Sequence, residues 1–295
     1  MRSVFSTYHP IINFGFFCAV IGTGIFLQHP VYLAIAVVAS LVYAVMLGGK
    51  GTLKFAAFFI LPMILVFAVV NPLVNPRGET VLFYTQHSQI TAEAVIYGIT
   101  AGFLLASILL WFTSYNKIMT SDKFVYLFGR IMPAISLIFS MVMRFVPNFK
   151  MQIQKISTAQ KCIGRDISNG TTKEKVKHGI KILSIMFTWA LENAIDSADS
   201  MRSRGYGLKD RSTFSVYRFD ARDTMAAIFL LIMTVIVIIG AVLGKCSIEF
   251  YPVIVMAEFD ISMLLVCIAY FCLCFFPVAV EVKETLVWKL SQSKI

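Results

Sequence analysis

Residues 92–113 read AEAVIYGITAGFLLASILLWFT, and Glu93 is the one charged side chain among them. A helix of about 20 apolar residues crosses a hydrocarbon core of about 30 Å. Helix is also the form in which a single segment satisfies all of its backbone polar groups without water. Working outward, comparable runs occupy 11–27, 31–47 and 52–71 on the N-terminal side and 224–243 and 259–280 on the C-terminal side. The connection Gln28-His29-Pro30 is uncharged, whereas Lys50 and Lys54 follow the second run. Lys and Arg near spans stay on the cytoplasmic side, so the first connection is placed outside, the second inside, and the N-terminus inside. The segment between Asn71 and Thr91 carries Asn71-Pro72, Asn75-Pro76 and Gly78 and reads as an outer loop, with Val81-Leu82-Phe83-Tyr84 too short to span.

The composition agrees with lipid as the solvent. Of 295 residues, 58% are hydrophobic and 14% charged, against about 25% charged in soluble domains. The net charge of +10 is not spread evenly: residues 114–222 hold 18 of the 26 Lys and Arg but 8 of the 16 Asp and Glu, so the whole excess sits there and the remainder is neutral. That block is therefore placed in the cytoplasm. The expected fold is an all-α integral membrane protein of about six transmembrane helices, with a cytoplasmic domain of long helices inserted between spans 4 and 5. The expected division is 1–113, 114–222 and 223–295, with both termini cytoplasmic. Phe124–Val146 is apolar enough to cross but contains Arg130, Pro133 and Arg144. An arginine at mid-membrane is costly, so this stretch is read as a helix along the inner surface, with a span as the alternative.

Two helices are expected within the block. From Asn148, after Pro147, to Ile163, apolar Ile153, Ile156, Ala159 and Ile163 recur against Lys150, Gln152, Lys155 and Lys161, and Gly164 is a natural stop. Thr171 and Glu174 have capping-box spacing for the next helix. Its seam is Ile180, Leu183, Phe187, Ala190, Ala194, Ala198 and Met201, read as a face that packs on protein. The alanine row allows another helix to cross closely. The helix ends in Met201-Arg202-Ser203-Arg204-Gly205-Tyr206, where Gly205 suits a left-handed closing residue and Arg204 projects from the tip. A guanidinium so placed suits two-pronged bonding to carboxylates or carbonyls on another protein.

Asn71-Pro72-Leu73, Arg77-Gly78, Val81–Tyr84, Arg144-Phe145-Val146-Pro147, Ala159-Gln160-Lys161 and Met201–Tyr206 together resemble the transmembrane T component of energy-coupling factor (ECF) transporters, the family that includes the cobalt-transporter Q component. The resemblance implies coupling helices whose Ala-Arg-Gly-like triplets seat in grooves of two ABC ATPase subunits. Ser203-Arg204-Gly205 matches the second triplet. At the first, after Ala159-Gln160-Lys161, stands Cys162-Ile163-Gly164, and Arg165 is taken as the substitute arginine. The resemblance further implies a small membrane subunit that captures a vitamin or metal ion, with Phe187, Ala190, Ala194 and Ala198 against it. ATP and Mg would be bound by the partner ATPases and no cofactor by this chain. A prokaryotic cell membrane is the implied location.

Other classes find less support. No Gly-x-x-x-x-Gly-Lys-Ser/Thr loop occurs, so ATP is not bound in the P-loop manner. His9, His29, His87 and His178 are scattered without metal-ligand spacing, and no catalytic residue is nominated. Four cysteines lie in apolar runs and read as small hydrophobes. Nucleic acid is not expected, because the basic block lacks interleaved aromatics. A stand-alone secondary transporter and a membrane-bound receptor or sensor scaffold stay open as alternatives.

Overall fold

The computed structural model describes residues 3–75, 77–84, 89–129, 132–165, 171–206, 208, 217–244, 246, 248–256 and 260–292. Along the chain run a 3-10 turn at Phe5–Thr7, α1 (Pro10–Phe26), α2 (Pro30–Phe55), a π-type turn at Ala56–Ile60, α3 (Leu61–Val74), β1 (Val81–Tyr84), β2 (Gln89–Thr91), α4 (Ala92–Ile118), α5 (Ser121–Gly129), α6 (Pro133–Cys162), α7 (Thr172–Ser203), α8 (Ala221–Val242), β3 (Ile248–Glu249), β4 (Val255–Met256) and α9 (Ile261–Gln292). Contacts divide it into two units, Met1–Phe124 with Tyr217–Ile295, and Val125–Val216.

In the first unit, α1 and α2 begin alike. His9 and His29 each accept a backbone N–H two residues on, from Ile11 and Val31 at 3.3 and 3.4 Å, and a proline opens each helix where its missing donor costs nothing. Pro30–Val74, Ala92–Ile118, Ala221–Val242 and Ile261–Gln292 are long and apolar enough to cross a membrane, and Pro10–Phe26 is a shorter apolar helix.

Pro30–Val74 is not one rod. Gly49, at φ 55 and ψ −142, breaks the helix, and the chain doubles back there. Ala44 and Ile60 therefore share one apolar cluster with Ala106 and Leu110 of α4. Gly98 faces Phe67, Gly102 faces Ile64, and the Lys117 ammonium reaches the Thr52 hydroxyl at 3.4 Å, so the arm after Gly49 runs antiparallel to α4. Beyond it, β1 and β2 form an antiparallel hairpin between α3 and α4, and β3 pairs with β4 between α8 and α9. The expectation of a purely helical chain is corrected to that extent: both hairpins lie in connections, where chain reversal leaves backbone groups for strands to pair. The hairpin base is tied down by Asn71, which donates to the Ala94 carbonyl at 2.8 Å, by Thr91, which donates to the Arg77 carbonyl at 2.6 Å, and by the Thr80 hydroxyl, which donates to buried Glu93 at 2.7 Å.

The main core joins α1, α2, α4, α8 and α9 around Phe5, Phe16, Tyr43, Trp111, Tyr270 and Leu273. Residues 3–9 close one end of it. Phe5 is fully buried edge-on to Phe16 and Phe276, and its N–H donates to Glu281 at 3.3 Å. The Arg222 guanidinium lies 4.2 Å from the Tyr8 ring centroid, and His9 sits edge-on to Phe219 at 5.1 Å. Lys123, in the first turn of α5, donates to the Ser6 carbonyl at 2.5 Å. The Asn13 amide is read with its oxygen toward Lys123 and its nitrogen toward the Phe5 carbonyl, each at 2.9 Å, because only that orientation pairs donors with acceptors. The exit at residue 124, the re-entry at 217 and the Gly49 turn thus lie at the same end of this unit, together with the N-terminus.

Burial of Lys123 pulls its ammonium from 10.5 down to about 8. Below about pH 8 the lysine is charged in both the folded and the unfolded chain. Between there and 10.5 the folded chain sheds the proton first, so the unfolded state binds more protons and stability rises with pH. The expected result is a thermal midpoint in detergent higher at pH 9.5 than at pH 7.5, by on the order of 3 °C. Lys123→Met is expected to remove that difference, and a difference that survives the substitution assigns it to another group.

The segment expected as one helix over 124–146 is instead two pieces, α5 and the start of α6. Pro133 opens α6, and Pro147 lies inside it without ending it, so the boundary expected at Asn148 is corrected to Pro133. Proline suits the first turn of a helix and removes one bond farther in. Among the described residues, no stretch long and apolar enough to cross falls in α5, α6 or α7.

Candidate functional site

The second unit is built on α6 and α7. Ile156 of α6 packs with Ile182 and Met186 of α7, and Phe149 meets Trp189 edge-on with centroids 5.6 Å apart. As α6 is followed toward its C-terminus, its partners move toward the N-terminus of α7, so the pair is antiparallel. Glu174 accepts from the Thr171 N–H at 2.9 Å and from its hydroxyl at 3.0 Å, fixing the start of α7 and holding the Glu174 carboxyl below the usual range.

Both helices end in the same way. In α6 the Gly164 N–H donates to the Lys161 carbonyl at 3.0 Å and the Arg165 N–H to the Gln160 carbonyl at 2.9 Å. In α7 the Gly205 N–H donates to Arg202 at 3.0 Å and the Tyr206 N–H to Met201 at 3.0 Å. These are two Schellman caps, in which the closing residue has positive φ and is usually glycine. Here Gly164 and Gly205 have φ of 76 and 75. Arg204 is the residue immediately before the closing glycine and is exposed, at the negative end of the helix. Ser203 turns its hydroxyl back to the Ser200 carbonyl at 2.9 Å.

Because α6 and α7 are antiparallel, the two caps lie at opposite ends of the pair. Counting from the Phe149–Trp189 contact at 1.5 Å per residue puts them about 43 Å apart along the helices. Ala159 and Gln160 lie in the last turn of α6, before its cap, while Arg165 stands one residue past Gly164. The structure therefore does not give Arg165 the position that Arg204 holds: that position in α6 belongs to Ile163. Counting back from each closing glycine, Ile163 stands where Arg204 does and Arg165 where Tyr206 does.

The contact between α6 and α7 does not run through the apolar row of α7. Contact with α6 runs through Ile182, Met186 and Trp189, leaving Ile180, Leu183 and Phe187 more than 60% exposed. Ala190 is half-buried, and Ala194 and Ala198 are exposed on the same helix. Among the described residues of its own unit the apolar row is thus uncovered, and the contact with α6 lies on a neighbouring face that bulky Trp189 and Met186 fill better. Among the described residues no group of three or more His, Cys, Asp or Glu side chains is placed to hold a metal ion.

A family model described as CbiQ, cobalt transport protein, matches residues 9–216. The chain belongs to the CbiQ family. Similar proteins include the energy-coupling factor transporter transmembrane protein EcfT of Lactococcus lactis subsp. cremoris, 27% identical over 193 residues, which cover 60% of this chain and 72% of that one. EcfT of Staphylococcus aureus is 25% identical over 59% of this chain and 69% of its own. EcfT of Listeria innocua is 33% identical over 34% of this chain and 38% of its own. This CbiQ-family chain is accordingly a multi-pass membrane protein and a transmembrane component of an ECF transporter, a membrane subunit within a multi-subunit assembly. The family match contains the whole of α6 and α7 and both caps.

Proposed function

We propose that the chain is the scaffold of an ECF-type importer and couples ATP hydrolysis by two partner ABC ATPases to uptake of a vitamin or metal ion held by a small membrane capture subunit. In this reading it crosses the membrane six times, through α1, the two arms of Pro30–Val74, α4, α8 and α9. The end bearing residues 3–9, Lys50 and Lys54 faces the cytoplasm, together with the C-terminus and the basic second unit. ATP and Mg belong to the ATPases.

The observation that carries the reading is the pair of capped helix tips at opposite ends of an antiparallel helix pair. Two separate tips about 43 Å apart suit two separate ATPase chains, the distance following from the helix rise. When those ATPases close on ATP and reopen, the tips are pulled together and released. Helices of this length carry that motion as levers, provided the capture subunit touches them differently in the two states. The uncovered row of α7, with Phe187, Ala190, Ala194 and Ala198, is the surface offered to that subunit: small residues admit a close helix crossing, and Phe187 supplies apolar area.

Purification of the tagged chain from its native membrane in mild detergent tests this. The expected result is co-purification of two ATPase chains and one small, span-rich protein. Recovery of the chain without any ATPase sinks the proposal.

A further inference from the structure

The two tips share a backbone but not a chemistry. In register from the closing glycine, Cys162-Ile163-Gly164 of α6 lies on Ser203-Arg204-Gly205 of α7, and the paired cap hydrogen bonds agree within 0.1 Å at 2.9 to 3.0 Å. The residue presented just before the glycine is a guanidinium on one tip and a branched hydrocarbon on the other. Ile163 is 62% exposed, so no described residue of its own unit takes most of its apolar surface from water. Arg165 follows the glycine, where the chain has already turned away from the helix axis. It occupies the position held in α7 by Tyr206, whose backbone closes that cap.

Resting on the function proposed above, we infer that Ile163, and not Arg165, is the residue that enters the first ATPase, and that the two ATPase sockets are unlike. The socket for Arg204 presents carboxylates or carbonyls to a guanidinium. The socket for Ile163 is an apolar pocket. A socket built to bond a guanidinium would be left with unpaired acceptors over Ile163, and an apolar pocket would reject a buried charge. One surface does not serve both tips, so each tip selects its own ATPase chain.

The experiment uses the full transporter with its co-purifying ATPases. A photoreactive benzoyl-phenylalanine is placed at position 163 or 204, and the labelled chain is identified by mass spectrometry. Position 163 is expected to label one ATPase and position 204 the other. In the same complex, Ile163→Asp and Ile163→Arg are each expected to lower the yield of the first ATPase at least tenfold, while Ile163→Leu and Arg165→Ala stay within about twofold. Labelling of one and the same chain from both positions overturns the inference. So does a loss with Arg165→Ala that Ile163→Asp does not produce, or a gain with Ile163→Arg, which would show a socket still furnished for a guanidinium. Labelling of an ATPase from 204 but not from 163 overturns this inference alone. Labelling of no ATPase from either position removes the underlying function as well.

Discussion

Arg204→Glu is expected to strip at least one ATPase from the complex while leaving the chain inserted in the membrane and folded. The side chain is exposed at the cap of α7, ahead of Gly205, and bonds in the described structure do not depend on its charge: the cap is closed by backbone groups of Arg202, Gly205, Met201 and Tyr206. Reversal therefore leaves the helix end intact and acts on the partner. Truncating one member of a buried charged pair costs about 2 to 5 kcal/mol, which is about thirty- to several-thousand-fold in affinity. The check is the amount of each ATPase recovered per mole of this chain, with the thermal midpoint of the chain as the folding control. Full recovery of both ATPases would remove Arg204 from the interface.

The tip of α7 was legible in the sequence because its signals coincide: a long amphipathic pattern, a cationic last turn, then glycine. The tip of α6 was half legible. Gly164 marked the stop, and Cys162-Ile163-Gly164 stood at the triplet, but the backbone cap that sets Ile163 in the place of Arg204 and Arg165 in the place of Tyr206 forms only in the folded chain. The uncovered seam has a similar origin. Periodicity reports that Ile180, Leu183 and Phe187 share a face; it does not say whether α6 or another protein covers that face. The actual contact, through Ile182, Met186 and Trp189, lies one residue before Leu183, Phe187 and Ala190, a rotation of about 100° to the neighbouring side of a helix with 3.6 residues per turn.

The bundle divides in the same manner. Apolar length located the apolar helices, and the connection read at Gly48 to Lys54 holds the turn that the structure places at Gly49. Pro147 misled, because one proline in a helix with strong amphipathic periodicity removes a single bond and leaves the packing that holds the rest. The N-terminal closure was not readable at all. Ser6, Asn13 and Lys123 are brought together only by folding, and the lysine gives no local sign that it is buried, its exposure as a residue being 6%.

Close helix approach is the other property that sequence hides, and it sets the second large effect. Glycines occur in α1 and α4 alike, yet a Cβ built on Gly22 meets nothing within 4 Å, whereas one on Gly98 meets the Phe67 carbonyl oxygen at 2.6 Å, with the Asn71 Cβ at 3.1 Å and the Ala68 Cα at 3.2 Å. The nearest obstacle at Gly98 is backbone, which no rotamer change moves aside. One turn on, Gly102 lies 3.1 Å from the Ile64 Cα by the same construction, so α3 and α4 touch along a line of main chain. Gly98→Leu must push α3 away, breaking the Asn71 bond to the Ala94 carbonyl that anchors the hairpin. Overpacking of this kind costs about 1 to 3 kcal/mol, and the upper end applies where backbone blocks relief. The expected result is a fall in thermal midpoint on the order of 6 to 12 °C at about 2 to 4 °C per kcal/mol. Gly22→Ala, by contrast, is expected to be neutral or to raise the midpoint slightly through better helix propensity. Equal behaviour of the two variants in one detergent would mean that α3 and α4 do not approach as closely as the glycines at 98 and 102 require.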